Sequence, residues 1–253
     1  MNIIQAIILG IVEGITEFLP VSSTGHLILA SRLLAIPSSE FLKSFEISIQ
    51  LGAILAVVFL YGKRINLQTA KRVGAAFLPT AVVGFTLYPL VKHVLLDSID
   101  TVLFSLLIGG IILILFEWLH GEKDFGIERI SDIPYRTAVV IGLFQSIALI
   151  PGVSRAAATI VGGLWMGVRR KTIVEFSFLL AVPTMLAATA LDILKSGAIS
   201  NSRELGLLAV GGVTSFLVAL AAIKFFLKFI QRNSFVWFGV YRVTVAVILL
   251  FAI

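Results

Sequence analysis

Two acidic residues, Glu13 and Glu17, stand four apart inside an otherwise apolar run, IIQAIILGIVEGITEFLP. Four residues is close to one helical turn, so both carboxylates share a helix face. An ionised carboxylate at membrane depth costs about 2.5–3.5 kcal/mol on insertion scales. Two on one face also repel each other. Such a pair persists where it binds a cation, an arginine or a proton. The plainer alternative is a helix at the membrane surface with both carboxylates in water.

The next residues are Pro20-Val21-Ser22-Ser23-Thr24-Gly25-His26. Ser22, Ser23 and Thr24 are natural N-cap types for a helix restarting after the proline. A helix start with free N–H groups and hydroxyls is an anion site suited to phosphate. Capping alone is the competing account of any one hydroxyl, but it leaves two glutamates and a histidine unexplained. His26 is one of three histidines. Its open roles are nucleophile, general acid or satisfied buried side chain.

A second polar break, Pro151-Gly152-Val153-Ser154-Arg155, lies far along the chain. Ser154 can cap the helix that follows. Arg155, flanked by apolar sequence, is costly unless paired. A guanidinium fork at a helix start suits a phosphoryl group. A structural ion pair to Glu13 or Glu17 is the alternative, and the two roles are compatible. Glu13 and Glu17 against Arg155 leave an excess of negative charge, to which a diphosphate would add more. A divalent cation, Mg²⁺ or Ca²⁺, held by Glu13 and Glu17 resolves this repulsion and polarises the phosphoryl group.

These residues require a scaffold, and the composition says which solvent surrounds it. The 253-residue chain is 58% hydrophobic and 13% charged, with a mean hydropathy of +1.06. Soluble domains average about 25% charged residues, so a bilayer must solvate much of the exterior. The absence of cysteine excludes disulfides, zinc–thiolate sites and thiol catalysis. MNIIQAIILG lacks the features of a cleaved signal peptide and is expected to stay in the mature protein. The net charge of +6 is dispersed in short blocks between apolar segments, which excludes nucleic acid as a partner.

Six apolar stretches, 41–62, 73–92, 101–119, 172–194, 205–227 and 235–252, reach the roughly 20 residues that a spanning helix needs. Residues 2–35 and 137–168 are each broken into two fragments too short to cross, and read as re-entrant hairpins. ILGIVEGITEFLPVSS aligns with VIGLFQSIALIPGVS, matching Gly10 to Gly142, Glu13 to Gln145, Pro20 to Pro151 and Ser23 to Ser154. The expected fold is therefore an all-α integral membrane protein of two inverted repeats. Each repeat is a re-entrant helical hairpin plus three transmembrane helices, 1–120 and 137–253, around a hydrophilic linker at 121–136. Lys63, Arg64, Lys71, Arg72, Lys123, Arg129, Arg136, Arg169, Arg170, Lys171, Lys224, Lys228 and Arg232 fall on one side. The other side receives only Arg32, Lys43, Lys92, Lys195 and Arg203. The first side should be cytoplasmic, with both termini outside. Glu46, Gln50, Glu175, Asp192 and Arg242 are expected to support the site or join helices.

The segments EGITEFLPVSSTGH, FEISIQLGAILAVV, PGVSRAAAT and EFSFLLAVP resemble the undecaprenyl-diphosphate phosphatase family of bacterial membranes, over nearly the whole chain. The resemblance implies removal of the terminal phosphate from the diphosphate form of the C55 lipid carrier. That regenerates the monophosphate for cell-wall synthesis and is linked to bacitracin resistance. It also implies a multi-pass protein of the bacterial plasma membrane, with a site opening to the outer side. The family's acidic pair falls on Glu13 and Glu17. Its serine–threonine–histidine run falls on Ser22, Ser23, Thr24 and His26. Its second motif falls on Ser154, Arg155 and Thr159. Similar members often carry serine after that arginine, where this chain has Ala156, so no essential role for that hydroxyl transfers.

The expected partners are a polyprenyl diphosphate lipid and the bilayer. A homodimer is compatible with the sequence, and the oligomeric state stays open. The expected catalytic residues are Glu13, Glu17, Ser23, His26 and Arg155. Ser22, Thr24, Gly25, Ser154 and Thr159 are expected at the substrate. The nucleophile is Ser23, His26 or water, with Ser23 preferred because a helix-start hydroxyl near a carboxylate can be deprotonated and oriented. The rival function is a transporter or flippase for a polyprenyl phosphate carrier, since broken helices in inverted repeats also build transporters.

Overall fold

The computed structural model describes residues 1–91, 95, 98–120, 126–196 and 201–252. Among them the architecture is all-helical. Five helical stretches are long and apolar enough to cross a bilayer: Glu40–Tyr61, Leu67–Leu90, Ile99–His120, Arg170–Lys195 and Ser202–Phe229. A sixth expected span, 235–252, forms the 17-residue helix Val236–Ala252. Lys92, Lys123 and positions 121–125 of the expected linker lie outside the described residues.

The first hairpin is α1 (Ile3–Thr16) and α2 (Ser23–Leu33). Asn2 and Gln5 close a capping box on α1, and Pro20 prevents its continuation. Gln5 Nε2 donates to Leu34 O at 3.3 Å, so the hairpin leaves at the end where it enters. The expected span 41–62 is two helices, α3 (Glu40–Ser48) and α4 (Gln50–Tyr61), joined at Ile49. Next come α5 (Leu67–Leu90) and α6 (Ile99–His120). Helix α5 begins before the expected residue 73 because Asn66 caps it, accepting from Thr69 N.

The second hairpin is α7 (Tyr135–Ser146) and α8 (Arg155–Trp165), followed by α9 (Arg170–Ser196), α10 (Ser202–Phe229) and α11 (Val236–Ala252). Its two ends meet the start of α5 and the end of α6. Arg72 sits 4.6 Å over the Tyr135 ring, and the His120 ring nitrogen Nε2 meets Leu164 O at 3.0 Å. At the same end, Arg170 and Glu117 pair at 2.7 Å while Phe235 N donates to Glu117. The described part of the linker is tied there too, since Glu128 pairs with Arg169 at 2.8 Å.

The halves interlock. Helix α1 packs against α10, whereas α7 packs against α5, and α6 pairs with α11. Close approach depends on small residues. A Cβ on Gly10 would stand 2.6 Å from Gly211 O, and one on Gly14 would stand 2.7 Å from Ser215 O. On the other side Thr80 Oγ1 donates to Gly142 O at 3.0 Å. The largest buried apolar cluster joins Phe18 and Val21 of the first break to Phe176 and Phe178 of α9 and Phe226 of α10. The first break is thus anchored by aromatic packing from the other half.

Candidate active site

Glu17 closes α1 as its C-cap, and Ser23 opens α2. The turn between them carries Ser22 at φ 76°, ψ 92°. A non-glycine residue in that region costs about 1–3 kcal/mol, and such strain persists where surroundings over-determine it. Here three bonds do so. Ser22 Oγ accepts from Gly25 N at 3.3 Å, and Ser22 O accepts from His26 N at 3.1 Å and from the imidazole Nδ1 at 2.7 Å. The reversal aims the Ser23 hydroxyl back at α1, where it donates to Glu17 Oε2 at 2.5 Å.

Arg155 begins α8, with Ser154 as N-cap accepting from Ala157 N at 3.1 Å. Its guanidinium reaches across the halves to Glu17 Oε1, from Nε at 3.3 Å and Nη2 at 3.2 Å. Nη1 donates to Ser177 O at 2.7 Å. Glu17 therefore holds the nucleophile candidate on one oxygen and the guanidinium on the other. All three side chains are buried. Nη1 also donates to Ser177 Oγ at 3.3 Å, so of the five N–H donors of an arginine one, on Nη2, remains for a further oxygen anion.

Glu13 is fully buried, and among the described residues neither of its carboxylate oxygens has a hydrogen-bond partner. Its charged neighbours are Glu17, Arg155 and Glu46. An orphaned carboxylate at that depth needs a proton or a cation. Among the described residues no group of three acidic or histidine side chains forms a metal cage. Glu46 itself accepts from Ser31 Oγ at 2.5 Å.

His26 is engaged on both nitrogens. A carbonyl can only accept, so Nδ1, 2.7 Å from Ser22 O, carries the hydrogen. Nε2 then faces Tyr241 Oη at 2.9 Å, and the two rings stack at 5.6 Å. Thr24 is half-buried, and among the described residues its hydroxyl has no hydrogen-bond partner. Thr159 Oγ1 turns back onto Arg155 O at 2.8 Å. The breaks touch where Gly25 meets Gly152: a Cβ on Gly25 would lie 3.3 Å from Gly152 Cα. Gly152, at φ +90°, adopts a backbone that side chains resist.

Serine-based phosphoryl chemistry would need a hydroxyl, an acceptor for its proton and a cationic group, and Ser23, Glu17 and Arg155 are groups of those types in contact. The family model described as "Bacitracin resistance protein BacA" matches residues 6–248. The chain belongs to this family. It is 52% identical over 246 residues to the undecaprenyl-diphosphatase of Aquifex aeolicus, covering 96% of each chain. The undecaprenyl-diphosphatase of Sulfurihydrogenibium sp. is 51% identical over 249 residues, covering 98% of each. That of Wolinella succinogenes is 51% identical over 253 residues, covering 99% of this chain and 98% of its own.

Within this BacA-family chain, Glu13, Glu17, Ser22, Ser23, Gly25, His26, Ser154 and Arg155 gather at the two breaks. Thr24 and Thr159 border them without directing a hydroxyl to the others. Sequence reasoning missed Ser177 and Tyr241. A serine in a span commonly bonds its own helix, and a tyrosine near a span end commonly marks the interface. Neither carries a distinguishing signal until the fold places it.

Proposed function

We propose that this chain is an integral membrane phosphatase. It hydrolyses undecaprenyl diphosphate to undecaprenyl phosphate and inorganic phosphate, which recycles the lipid carrier and supports bacitracin resistance. The observation that carries the reading is the Ser23–Glu17–Arg155 constellation, assembled from two distant motifs in a chain whose relatives bear that activity in their names.

In the mechanism we favour, the Ser23 oxygen attacks the terminal phosphorus. The new O–P bond forms as the bond to the bridging oxygen breaks, and Glu17 takes the serine proton. Undecaprenyl phosphate leaves, and water then releases inorganic phosphate from the serine. Arg155 shares its fork between Glu17 and the phosphoryl oxygens, stabilising the charge that builds there. The free N–H groups at the starts of α2 and α8 add to this, with Ser22, Thr24, Gly25, Ser154 and Thr159 lining the headgroup. His26 is less suited to attack, since both ring nitrogens are engaged. It orients the strained turn and can pass a proton through Nε2.

Glu13 and Glu17 would hold a divalent cation, Mg²⁺ or Ca²⁺. The Glu13 oxygens, which have no hydrogen-bond partner among the described residues, suit this role. When bound, the cation neutralises the diphosphate and polarises its terminal phosphorus.

The arrangement we favour is two inverted repeats, 1–120 and 137–253, with six spans and re-entrant hairpins entering from opposite faces. The exchanged packing of α1 on α10 and α7 on α5 supports it. So does the hairpin geometry, since α1–α2 closes at Leu34 and α7–α8 opens beside Arg72. The basic face would be cytoplasmic in the bacterial plasma membrane, with the site open to the outer side. The test is phosphate release by purified protein on C55 diphosphate, with and without EDTA. Release that falls to background in EDTA and returns with Mg²⁺ or Ca²⁺ is expected. Full activity after exhaustive chelation would remove the cation. Lipid binding without any release would favour a carrier transporter instead.

A further inference from the structure

Arg242 of α11 is the largest fully buried side chain among the described residues, at 1% exposure. No carboxylate pairs with it among the described residues. Its donors go to four backbone carbonyls instead. Nη2 reaches Ser105 O and Gly152 O, both at 3.0 Å. Nε reaches Leu106 O at 3.4 Å, and Nη1 reaches Pro20 O at 3.4 Å. Ser105 and Leu106 belong to α6. Pro20 and Gly152 belong to the two breaks, one in each half of the chain.

An unpaired guanidinium deep in an apolar protein is expensive and needs a compensating role. Carbonyls at a helix break lack their ladder partners, and in a membrane something internal must satisfy them. A planar fork with five donors can serve several at once, where an ammonium acts as a point charge. The surroundings are shaped to admit it. A Cβ on Gly109 would run into the guanidinium, with Cζ only 2.9 Å away.

From these contacts we infer that Arg242 is a positioning residue that clamps the two breaks together, so that Arg155 reaches Glu17 and Ser23. It acts through backbone carbonyls and does not touch the phosphoryl group. In consequence α11, which supplies none of the residues of either motif, sets the geometry of both. Its neighbour Tyr241 meets His26 from the same helix. This inference deepens the phosphatase reading and rests on it for its kinetic arm only.

The test uses the full chain carrying Arg242→Lys or Gly109→Ala. The second keeps Arg242 and pushes its fork off the carbonyls, so it remains informative where the lysine variant fails to fold. Each should lower kcat about ten-fold or more and change KM by less than about three-fold, the signature of lost transition-state geometry. In an Arg155→Lys background each should cost less than about three-fold more, because groups acting as one unit are not additive. Hydrogen exchange should rise about ten-fold at 18–25 and 150–155 together, with α10 unchanged.

Near-normal kcat in both variants would overturn the inference. So would full additivity with Arg155→Lys, or exchange that rises throughout the molecule. If the wild-type protein releases no phosphate, the functional reading fails, and exchange alone then decides the clamp. Paired opening of the two breaks would sustain it, and opening of one break only would refute it.

Discussion

Glu13 and Glu17 differ in what the fold does with them, although they share a helix face. Glu17 is committed to Ser23 and Arg155, whereas neither Glu13 oxygen has a hydrogen-bond partner among the described residues. Glu17→Gln should therefore cost stability as well as turnover, because it leaves Arg155 buried and uncompensated, a loss of about 3–5 kcal/mol. Glu13→Gln removes an orphaned carboxylate, so its melting temperature should match or exceed the wild type while turnover collapses. Thermal unfolding and kcat on the same preparations separate the two. Equal destabilisation by both would mean that Glu13 has a partner in the folded protein. Ser23→Ala should reduce phosphate release to background, and near-wild-type kcat would return the nucleophile to water or His26. Tyr241→Phe keeps the ring over the imidazole and loses only the hydroxyl. A fall of about ten-fold or less in kcat is expected, with Tyr241→Ala worse.

At the scale of elements, the site depends on how closely α1 approaches α10. Gly10 and Gly14 face Gly211 and Ser215 with no room for a methyl group. Gly14→Ala must push the helices apart, which typically costs about 1–3 kcal/mol. The displaced helix would carry Glu13 and Glu17 away from Arg155. Melting temperature and kcat should fall together, and a variant with lowered stability but full kcat would show that the two motifs do not depend on this contact. Helix α8 adds a second dependence, since Arg155 is its first residue and extends towards α1. Arg155→Lys keeps the charge and loses the fork. It should cost about 10²-fold or more in kcat/KM, as for removal of a transition-state charge stabiliser. A monodisperse Arg155→Lys protein with near-normal turnover would detach the second break from the chemistry.

For the whole molecule, a group of basic residues marks one end. Arg72, Arg170 and the described linker meet there, close to the end of α6. With that end cytoplasmic, Lys71→Cys should resist an impermeant thiol reagent in intact cells, and Asn201→Cys should react. The chain has no native cysteine to confuse the reading. The opposite labelling pattern would invert the orientation.

Hydropathy and two polar breaks were enough to read an all-helical chain with long apolar helices, and to single out residues that the fold gathers at those breaks. This worked because a bilayer leaves few ways to satisfy a backbone, and polar residues at depth are costly enough to stand out. The break at Ile49 within the first expected span escaped because no proline or glycine adjoins it, and its polar neighbours Ser48 and Gln50 are tolerated within helices. So did the division of labour within the acidic pair, since spacing places Glu13 and Glu17 on one face but says nothing of which one meets Arg155. That was decided by the strained turn at Ser22, which turns Ser23 back onto Glu17. Tyr241 and Arg242 were decided by the pairing of α11 with α6, a contact between segments over a hundred residues apart. Local pattern reports what a segment needs to bury; only packing reports which partner buries it.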